Sequence, residues 1–180
     1  DNKLSLLWQT QANPKKYWFS FNKGLVLNCI KTDACDLHLV PQILTQKVPA
    51  LEFDTKTLIE LDNLKENDAV GFTMMGTNYT YIEIKRIDNK LELSLYEGSF
   101  NTHDICVFKE EYQDDKIILG LKARNEAIYD LRYQYTINGK EIEKSYLASA
   151  GRWIGATYGL YARGNGGSAL VKYFNTTKLK

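Results

Sequence analysis

The sequence has few of the residues from which metal sites, disulfide frameworks and catalytic triads are built. Among its 180 residues are only 2 histidines, His38 and His103, and 3 cysteines, Cys29, Cys35 and Cys106. Two histidines are few for a zinc site or a His-based catalytic triad, so neither is expected. Three scattered cysteines show no paired metal-ligand spacing and no disulfide framework. A Cys29–Cys35 bridge is one alternative, and three small, buried or half-buried thiols are the favoured one.

The chain also lacks an excess of charge and any long apolar run. Its 23 Lys and Arg balance 22 Asp and Glu, so no field favours a polyanion and nucleic acid is not an expected partner. Apolar stretches such as Ala69–Met75 fall far short of the roughly 20 residues that cross a bilayer, so no membrane span is expected. The opening Asp1-Asn2-Lys3 predicts a mature chain or a fragment of a longer one. The length predicts one domain over residues 1–180.

What the sequence does have is period-two alternation of Val, Ile, Tyr, Phe and Thr, the pattern of β-strands. Leu25–Ile30 and Leu91–Tyr96 alternate in this way, and Lys116–Arg124 places Ile117, Leu119, Leu121 and Ala123 on one face. No segment of helical length keeps a period of 3.6 residues. The pattern predicts an all-β fold.

The turns between these runs support the same fold. Alternate residues of 128–137 share one face, namely Tyr129, Leu131, Tyr133, Tyr135 and Ile137. Asn138-Gly139 follows directly, and this dipeptide favours a hairpin because a type I′ turn needs positive φ at both central positions. Many short, evenly spaced strands predict a two-sheet antiparallel β-sandwich of the jelly-roll type.

Several stretches, in order and at their spacing, resemble the concanavalin A-like β-sandwich at the C-terminus of β-xylosidases and arabinofuranosidases of glycoside hydrolase family 43. The resemblance covers nearly the whole chain. It rests on Leu7-Trp8-Gln9, Asn13-Pro14, Trp18, Ile43-Leu44-Thr45-Gln46-Lys47, Asn67-Asp68-Ala69-Val70-Gly71-Phe72, Tyr79-Thr80-Tyr81-Ile82-Glu83-Ile84-Lys85, Tyr135-Thr136-Ile137-Asn138-Gly139, Gly151-Arg152-Trp153-Ile154-Gly155-Ala156, Gly159-Leu160-Tyr161-Ala162 and Val171-Lys172-Tyr173-Phe174.

In that family the sandwich follows a five-bladed propeller, which holds the catalytic carboxylates and is absent from these residues. The resemblance therefore implies a non-catalytic accessory domain that packs against the propeller and contacts plant-type polysaccharide in a secreted or periplasmic setting. Some members send a loop toward the rim of the active site. The matching stretch here, Asp33–Pro41, offers Leu37, His38 and Leu39 where members with such a loop present an aromatic residue. Lys172 stands where the family commonly has an Asp, so a structural calcium is not supported and no cofactor is expected.

Two groups of residues are candidates for sugar binding, which needs aromatic faces beside polar groups. Tyr79, Tyr81 and Glu83 lie at alternate positions and share one face of a strand, to which Gln46 adds an amide if its strand is in the same sheet. The alternative is that the tyrosines are half-buried sandwich residues. Arg152 and Trp153 form a second group, a stacking and bidentate pair, with a loop anchored by a buried Trp as the alternative.

Two tryptophans are candidates for contact with a preceding domain. Trp8 and Trp18 either dock on that domain or hold the first strand in the sandwich. Besides the accessory domain, we consider an autonomous carbohydrate-binding module and a stand-alone hydrolase. The hydrolase needs two carboxylates about 5–9 Å apart in a cleft. Glucanases that resemble this fold place them at alternate positions of one strand; Glu52 and Asp54 begin that pattern, but Thr57 ends it because a hydroxyl can neither protonate a leaving group nor attack a sugar.

Overall fold

A computed structural model describes residues 3–11, 13, 15–32, 36–100, 102–128 and 130–179. The following residues of the predictions above lie outside the described residues: Asp1, Asn2, Pro14, Asp33, Cys35 and Tyr129. Cys29 is a free, buried thiol, and Cys106 is free and exposed.

The described chain is almost entirely β-structure. Its fourteen strands are β1 Gln9–Thr10, β2 Phe19–Phe21, β3 Leu25–Asn28, β4 Leu44–Lys47, β5 Phe53–Glu60, β6 Ala69–Met75, β7 Asn78–Ile87, β8 Lys90–Ser99, β9 Ile105–Tyr112, β10 Lys116–Ala127, β11 Asp130–Ile137, β12 Lys140–Leu147, β13 Thr157–Arg163 and β14 Ser168–Lys178. One 3-10 turn, Leu37–Leu39, precedes β4.

The strands form two antiparallel sheets of seven strands each. The first sheet has the order β1-β4-β13-β6-β7-β8-β9, and the second has β12-β11-β10-β5-β14-β3-β2. The predicted hairpin is confirmed: β11 and β12 flank Asn138 and Gly139, whose φ angles are 50° and 83°. The predicted all-β, two-sheet antiparallel sandwich is therefore confirmed, and it is consistent with a concanavalin A-like jelly roll.

The main core lies between the sheets, because alternate residues of each strand point to this space. The face predicted for residues 116–124 is correct, since Ile117, Leu119, Leu121 and Ala123 are all fully buried. Hydroxyls of the second sheet also reach the first: Tyr135 accepts from the N–H of Met74 at 3.1 Å. The side of the first sheet that lines this core is its inner face.

The outer face of the first sheet is also covered at its centre. Residues 36–43, the covering segment, bury Leu37, Val40 and Ile43 against tyrosines of this sheet. The segment follows Ile30, which bridges to Arg163 at one end of the sheet, and it reaches Gly76 near the other end, where His38 Nε2 lies 2.6 Å from the Gly76 carbonyl oxygen. The fold therefore has a second, smaller core.

Candidate functional site

The outer face of the first sheet carries the first predicted sugar-binding group. Tyr79, Tyr81 and Glu83 share this face of β7, as their spacing predicts, and Tyr161 of β13 joins them. Their exposed fractions are 1%, 2%, 4% and 0%. Tyr81 stacks on Tyr96 with ring centroids 4.9 Å apart. These side chains thus form a packed cluster beneath the covering segment.

Asp104, in the loop between β8 and β9, accepts hydrogen bonds from both tyrosines of β7. The Tyr79 hydroxyl donates to Oδ1 and the Tyr81 hydroxyl donates to Oδ2, each at 2.6 Å. The Tyr79 oxygen also accepts from the backbone N–H of Leu37 at 3.2 Å. Burial, and then the bond to Asp104, raises the pKa of both phenols, which therefore stay protonated donors at neutral pH. The two tyrosines fasten a loop and the covering segment to the sheet.

Glu83 is the acceptor at the centre of a second buried network. Its Oε2 accepts from the Tyr161 hydroxyl at 2.7 Å and from Nε and Nη2 of Arg163 at 3.1 and 2.9 Å. Burial alone lowers the pKa of Arg163, but the Glu83 carboxylate outweighs that effect and raises the pKa above its ordinary value. Arg163 therefore keeps its charge, and its contacts with Glu83 hold β7 to β13 across β6.

This geometry corrects the prediction of a sugar-stacking face at Tyr79, Tyr81 and Glu83. A ring that stacks on a sugar must present a free face, and both tyrosine rings are enclosed by the covering segment and by each other. Both Glu83 oxygens belong to a side chain that is only 5% exposed. The alternative considered above, sandwich residues with a packing role, describes what the structure contains.

Gln46 does not join that group. Its strand, β4, is in the same sheet, but Gln46 lies opposite Tyr158, whose ring belongs to the inner core. The Tyr158 hydroxyl lies 3.4 Å from Gln46 Oε1. Because paired residues share a face, Gln46 points to the inner side and Tyr79 to the outer side. A groove that combines them is excluded.

The two tryptophans near the start of the chain pack mainly within the sandwich. Trp18 is buried, with 7% of its surface exposed. Trp8 is half-buried and meets Phe174 edge to face, with ring centroids 4.8 Å apart. Both residues therefore fit the second alternative, in which they hold the N-terminal strands in the sandwich. Of the two, only Trp8 keeps exposed surface that another domain could contact.

The covering segment gives its three predicted contact residues different surroundings. Leu37 is fully buried and Leu39 is 62% exposed. His38 is half-buried: Nδ1 lies 2.8 Å from Asp36 Oδ1 and Nε2 lies 2.6 Å from the carbonyl oxygen of Gly76. These two contacts hold the ring between the covering segment and the turn after β6. Leu39 alone of the three presents most of its side chain to a partner.

Arg152 and Trp153 lie in the loop between β12 and β13, and both are exposed. The Trp153 side chain is 89% exposed, so the expectation of a loop anchored by a buried Trp is wrong. Instead the base of the loop is fixed by backbone contacts, since the N–H of Thr77 donates to the carbonyl of Ala150 at 2.9 Å. The loop is thus attached to the sheet while its tryptophan projects from the surface.

Trp153 belongs to a group of exposed apolar side chains at one end of the sandwich, which we call the apolar end. Antiparallel pairing places alternate connections at the same end. The loops β4–β5, β8–β9, β10–β11 and β12–β13 all fall here. The exposed apolar residues of this end include Leu39 (62%), Leu51 (60%), Phe100 (54%), Ile105 (65%), Ile128 (82%), Leu147 (51%), Trp153 (89%) and Ile154 (49%).

The opposite end has a different surface. Its connections include residues 61–68, 88–89, 113–115, 138–139 and 164–167, all within the described ranges, and none of these five carries a large exposed apolar side chain. Tyr17, beside Asn28, is exposed at this end, at 61%. Soluble proteins rarely expose a large contiguous apolar patch without an interaction to explain it. The contrast between the two ends marks the apolar end as a candidate contact surface.

Residues such as Phe100 and Leu147 were not singled out from the sequence, because each is one apolar residue near a turn. A signal exists, however. In a chain of antiparallel strands, every second connection lies at the same end, so apolar residues that recur at alternate turns predict one apolar end.

A cavity of about 330 Å³ opens at the apolar end between the two sheets. β7 and β8 form one side of it, and β11 and β12 form the other. Its lining consists of Asn78, Tyr79, Thr80, Glu97, Gly98, Ser99, Thr102, His103, Ile105, Tyr133, Tyr146 and Leu147. Most of these residues carry polar groups, among them hydroxyls, an amide and a carboxylate. Two exposed aliphatic side chains, Ile105 and Leu147, complete the lining.

Of the two carboxylates considered for hydrolysis, Asp54 has a structural partner, as does Glu60, the other acidic residue of β5. Asp54 accepts from Arg124 Nη1 at 2.7 Å, and Glu60 lies 3.6 Å from Lys172 Nζ. Thr57 is fully buried, and its hydroxyl donates to the Tyr173 carbonyl at 2.9 Å. The pattern on β5 therefore does not place two carboxylates in a cleft.

Metal ligands and membrane spans were sought over the described part of the chain. There, no three His, Cys, Asp or Glu side chains come together as a metal-binding group. Within the same residues, no helix has the length and apolarity to span a bilayer.

Comparison with known proteins identifies the fold at family level. The family model of the β-xylosidase C-terminal concanavalin A-like domain matches residues 1–177. The chain belongs to this family. The resemblance expected from the sequence motifs is thereby confirmed over almost the whole chain. No curated protein sequence is significantly similar to it.

Solved structures of family 43 enzymes contain a domain similar to this chain. One is a glycoside hydrolase engineered to display endo-xylanase and exo-arabinofuranosidase activity, with a TM-score of 0.84 at 15% identity over 99% of this chain and 39% of that one. Another is the xylan β-1,4-xylosidase of Bacillus halodurans C-125, with a TM-score of 0.77 at 11% identity over 99% of this chain and 38% of that one. The chain thus spans less than two-fifths of either enzyme.

A smaller protein shares the same fold over its whole length. This is the carbohydrate-binding module CBM66 of Bacillus subtilis, with a TM-score of 0.58 at 10% identity over 96% of each chain. At such low sequence identity these similarities establish the fold alone. They do not allow the role of a residue in one protein to be assigned to a residue of another. The function of a β-xylosidase C-terminal domain must therefore be argued from its own surface.

Proposed function

We propose that this chain is one non-catalytic domain of a family 43 glycoside hydrolase and that its apolar end packs against the catalytic propeller of the same protein. The observation that carries the proposal is the concentration of exposed apolar side chains at that end, with Trp153 at 89% exposure. Tryptophan and other large side chains in the centre of an interface supply most of its binding energy.

The topology supports the same contact. Gln9 lies opposite Thr45 and Thr10 lies opposite Leu44, so the residues that precede β1 lie toward the apolar end. In a C-terminal domain the polypeptide of the catalytic part arrives by this route. The propeller would therefore meet the apolar end before any other surface.

The proposal assigns hydrolysis to the propeller. Asp54 and Glu60 of this chain are each bound to a cation, and a glycosidase needs two carboxylates about 5–10 Å apart across a cleft. The substrate of the complete enzyme would be a plant-type polysaccharide, which is consistent with a secreted or periplasmic setting.

Carbohydrate binding by the domain itself is the second candidate function. The exposed pair Arg152 and Trp153 favours it, because an open indole face stacks on a sugar ring and a guanidinium beside it can form two hydrogen bonds. A concanavalin A-like sandwich also serves as a binding module in CBM66.

A binding measurement with one variant tests the docking proposal. Trp153→Ala is expected to weaken association of the 180-residue chain with the separately produced catalytic domain of the same protein by about tenfold or more. Isothermal titration calorimetry measures this directly. Tyr17→Ala is the matched control, because Tyr17 is 61% exposed and lies beside Asn28, away from the apolar end.

Equal affinity of Trp153→Ala and the unaltered chain would contradict docking through this loop. Affinity electrophoresis of the same variants in gels that contain xylan, arabinoxylan, arabinan or β-glucan tests the second function. Retardation of the unaltered chain that Trp153→Ala abolishes would favour sugar binding by Arg152 and Trp153.

A further inference from the structure

We propose that a basic pocket on the outer face of the first sheet, at the end opposite the apolar end, binds the carboxylate of a uronic acid unit in a polysaccharide. The pocket has a volume of about 450 Å³, and its lining includes Lys31, Asn67, Ala69, Lys85, Arg163 and Asn165. That the ligand is a polysaccharide rests on the proposed function. The pocket adds to it the acidic sugar and the place where this sugar binds.

Strand pairing places two of the cations on either side of a small residue. Ala69, the first residue of β6, lies opposite Arg163 of β13 and opposite Lys85 of β7. Paired residues share a face of the sheet. Neighbouring strands lie about 4.8 Å apart, so the backbones that carry Arg163 and Lys85 are separated by roughly 10 Å. Because Ala69 has only a methyl group, the space between the two long side chains stays open.

The next row of residues on the same three strands shows why the small side chain matters. There Gly71 lies between Tyr161 and Glu83. The Tyr161 ring fills the space above Gly71, since a Cβ at this glycine would lie 2.3 Å from Tyr161 Cε1. The Tyr161 hydroxyl then donates to Glu83 at 2.7 Å. That row is filled by the protein itself, whereas the row of Ala69 can receive a ligand.

Arg163 is held in place by the protein and keeps one nitrogen for a ligand. Its Nε and Nη2 donate to Glu83 Oε2 at 3.1 and 2.9 Å. Its guanidinium carbon lies 5.8 Å from the ring centroid of Tyr81 and 5.7 Å from that of Tyr161. Within the described residues Nη1 makes no hydrogen bond, and 22% of the side chain is exposed. A guanidinium fixed in this way loses little conformational freedom when Nη1 donates to a ligand.

The charge balance of the pocket favours an anion. Arg163 is paired with Glu83, whereas Lys31 and Lys85 have no carboxylate partner among the described residues. The other acid nearby, Asp68, is fully buried and accepts from two backbone N–H groups. Three cations against these two carboxylates leave a single net positive charge. A carboxylate that enters the pocket would gain charge-assisted hydrogen bonds from the two lysines, and such bonds are stronger than neutral ones.

The rest of the lining suits a sugar that carries this carboxylate. Asn67 and Asn165 are exposed, and their side-chain amides have no hydrogen-bond partner among the described residues. An amide can both donate to and accept from a sugar hydroxyl. The volume of about 450 Å³ lies within the range for small-molecule sites, roughly 300–1,000 Å³, so it holds a sugar ring as well as its carboxylate.

The same lining disfavours a neutral sugar. Among the described residues no aromatic side chain lines the pocket, and aromatic faces are what a neutral sugar ring needs for stacking. Binding must therefore depend on the carboxylate. The pocket also lies away from the apolar end, so a polysaccharide can reach it while that end contacts the propeller.

The experiment is a titration of the ¹⁵N-labelled 180-residue chain, followed by amide chemical shifts. The acidic ligands are trigalacturonic acid and xylotriose that carries one glucuronic acid branch; unbranched xylotriose and sodium phosphate are the comparison ligands. At least one acidic sugar is expected to shift the amides of Ala69, Lys85, Gly164 and Asn165 in a saturable way. Its affinity is expected to fall as NaCl is added, because salt screens the exposed lysines. Unbranched xylotriose is expected to bind at least tenfold more weakly.

Two variants test the role of the unpaired cations. Lys85→Gln and Lys31→Gln are each expected to weaken the affinity for the acidic sugar by about tenfold, because each removes a charged donor. Lys56→Gln is the matched control, since it removes the same charge from an exposed position of β5 in the second sheet, opposite Gly120. It is expected to bind as the unaltered chain does. Unchanged melting temperatures confirm that all three variants fold.

The proposal is overturned if neither acidic sugar gives saturable shifts, if unbranched xylotriose binds as tightly as the branched one, or if both lysine variants of the pocket bind as tightly as the unaltered chain. If phosphate shifts the same amides with equal affinity, the pocket is a general anion site and the assignment to a sugar is wrong. Because Trp153→Ala leaves this pocket intact, failure of docking and failure of this site are separate results.

Discussion

Replacing Tyr81 by alanine is expected to lower the free energy of unfolding by about 3–5 kcal/mol, the usual cost of removing a buried aromatic side chain. Tyr81 is only 2% exposed. Its ring stacks on Tyr96 at 4.9 Å and meets Tyr161 edge to face at 5.9 Å. The covering segment closes the cluster from outside, so the surroundings have little freedom to collapse into the space left behind.

Chemical denaturation measures this effect, and two further variants separate its causes. Tyr81→Phe keeps the ring and removes the hydroxyl that donates to Asp104 Oδ2, so it is expected to cost about 1–3 kcal/mol for the carboxylate oxygen left without its donor. Tyr17→Ala, at a side chain that is 61% exposed, is expected to change stability by less than about 0.5 kcal/mol. If the Tyr81→Ala protein were as stable as the unaltered chain and had lost affinity for glycans, the result would instead support the open sugar-stacking face predicted from the sequence.

The error at Tyr79, Tyr81 and Glu83 shows what strand alternation can and cannot predict. The period of two correctly places the three side chains on one face of β7. It does not indicate whether that face is open. Here the deciding element is the covering segment, residues 36–43, which has no regular period and crosses the sheet from a distant part of the sequence. Burial by such a segment is a tertiary effect that local patterns do not encode.

The predictions for Gln46 and Trp153 were wrong for two other reasons. The side of the sheet on which Gln46 lies depends on its register with Tyr158, and a shift of one residue would reverse it. For Trp153, the general tendency of tryptophan to be buried favoured an anchoring role. The loop is instead fixed by its backbone and by Ser149, whose hydroxyl accepts from the N–H of Asn78 at 2.9 Å. The indole is then free to serve a contact.

The fold class could be predicted from the sequence because the pattern that indicates a strand recurs many times along the chain. Long strands such as β5 and β11 alternate between buried and more exposed residues, and turns such as Asn138-Gly139 separate the strands, so that an error in one segment does not change the fold class. The cavity between the two sheets could not be predicted from the sequence in this way. Glu97 and Tyr146 come from strands of different sheets and are 49 positions apart in the sequence, and nothing local to either residue indicates the other.

Removing Glu83 is the second change with a large expected effect: Glu83→Ala should lower the free energy of unfolding by about 3–5 kcal/mol. The side chains of Glu83 and Arg163 are 5% and 22% exposed. Without Glu83 the guanidinium of Arg163 keeps its charge, because its pKa lies far above neutrality with or without this partner. The Tyr161 hydroxyl, fully buried, loses its acceptor at the same time.

Two comparisons test whether the loss comes from an uncompensated buried charge. The double variant Glu83→Leu with Arg163→Met is expected to recover most of the stability, since a buried ion pair replaced by apolar side chains of similar volume is often neutral. Glu111→Ala breaks the exposed pair between Glu111 Oε2 and Lys90 Nζ, which lie 2.8 Å apart, and is expected to leave the free energy of unfolding nearly unchanged. If Glu83→Ala costs as little as Glu111→Ala, water reaches Arg163, and the outer face is more open than the packing of the covering segment implies.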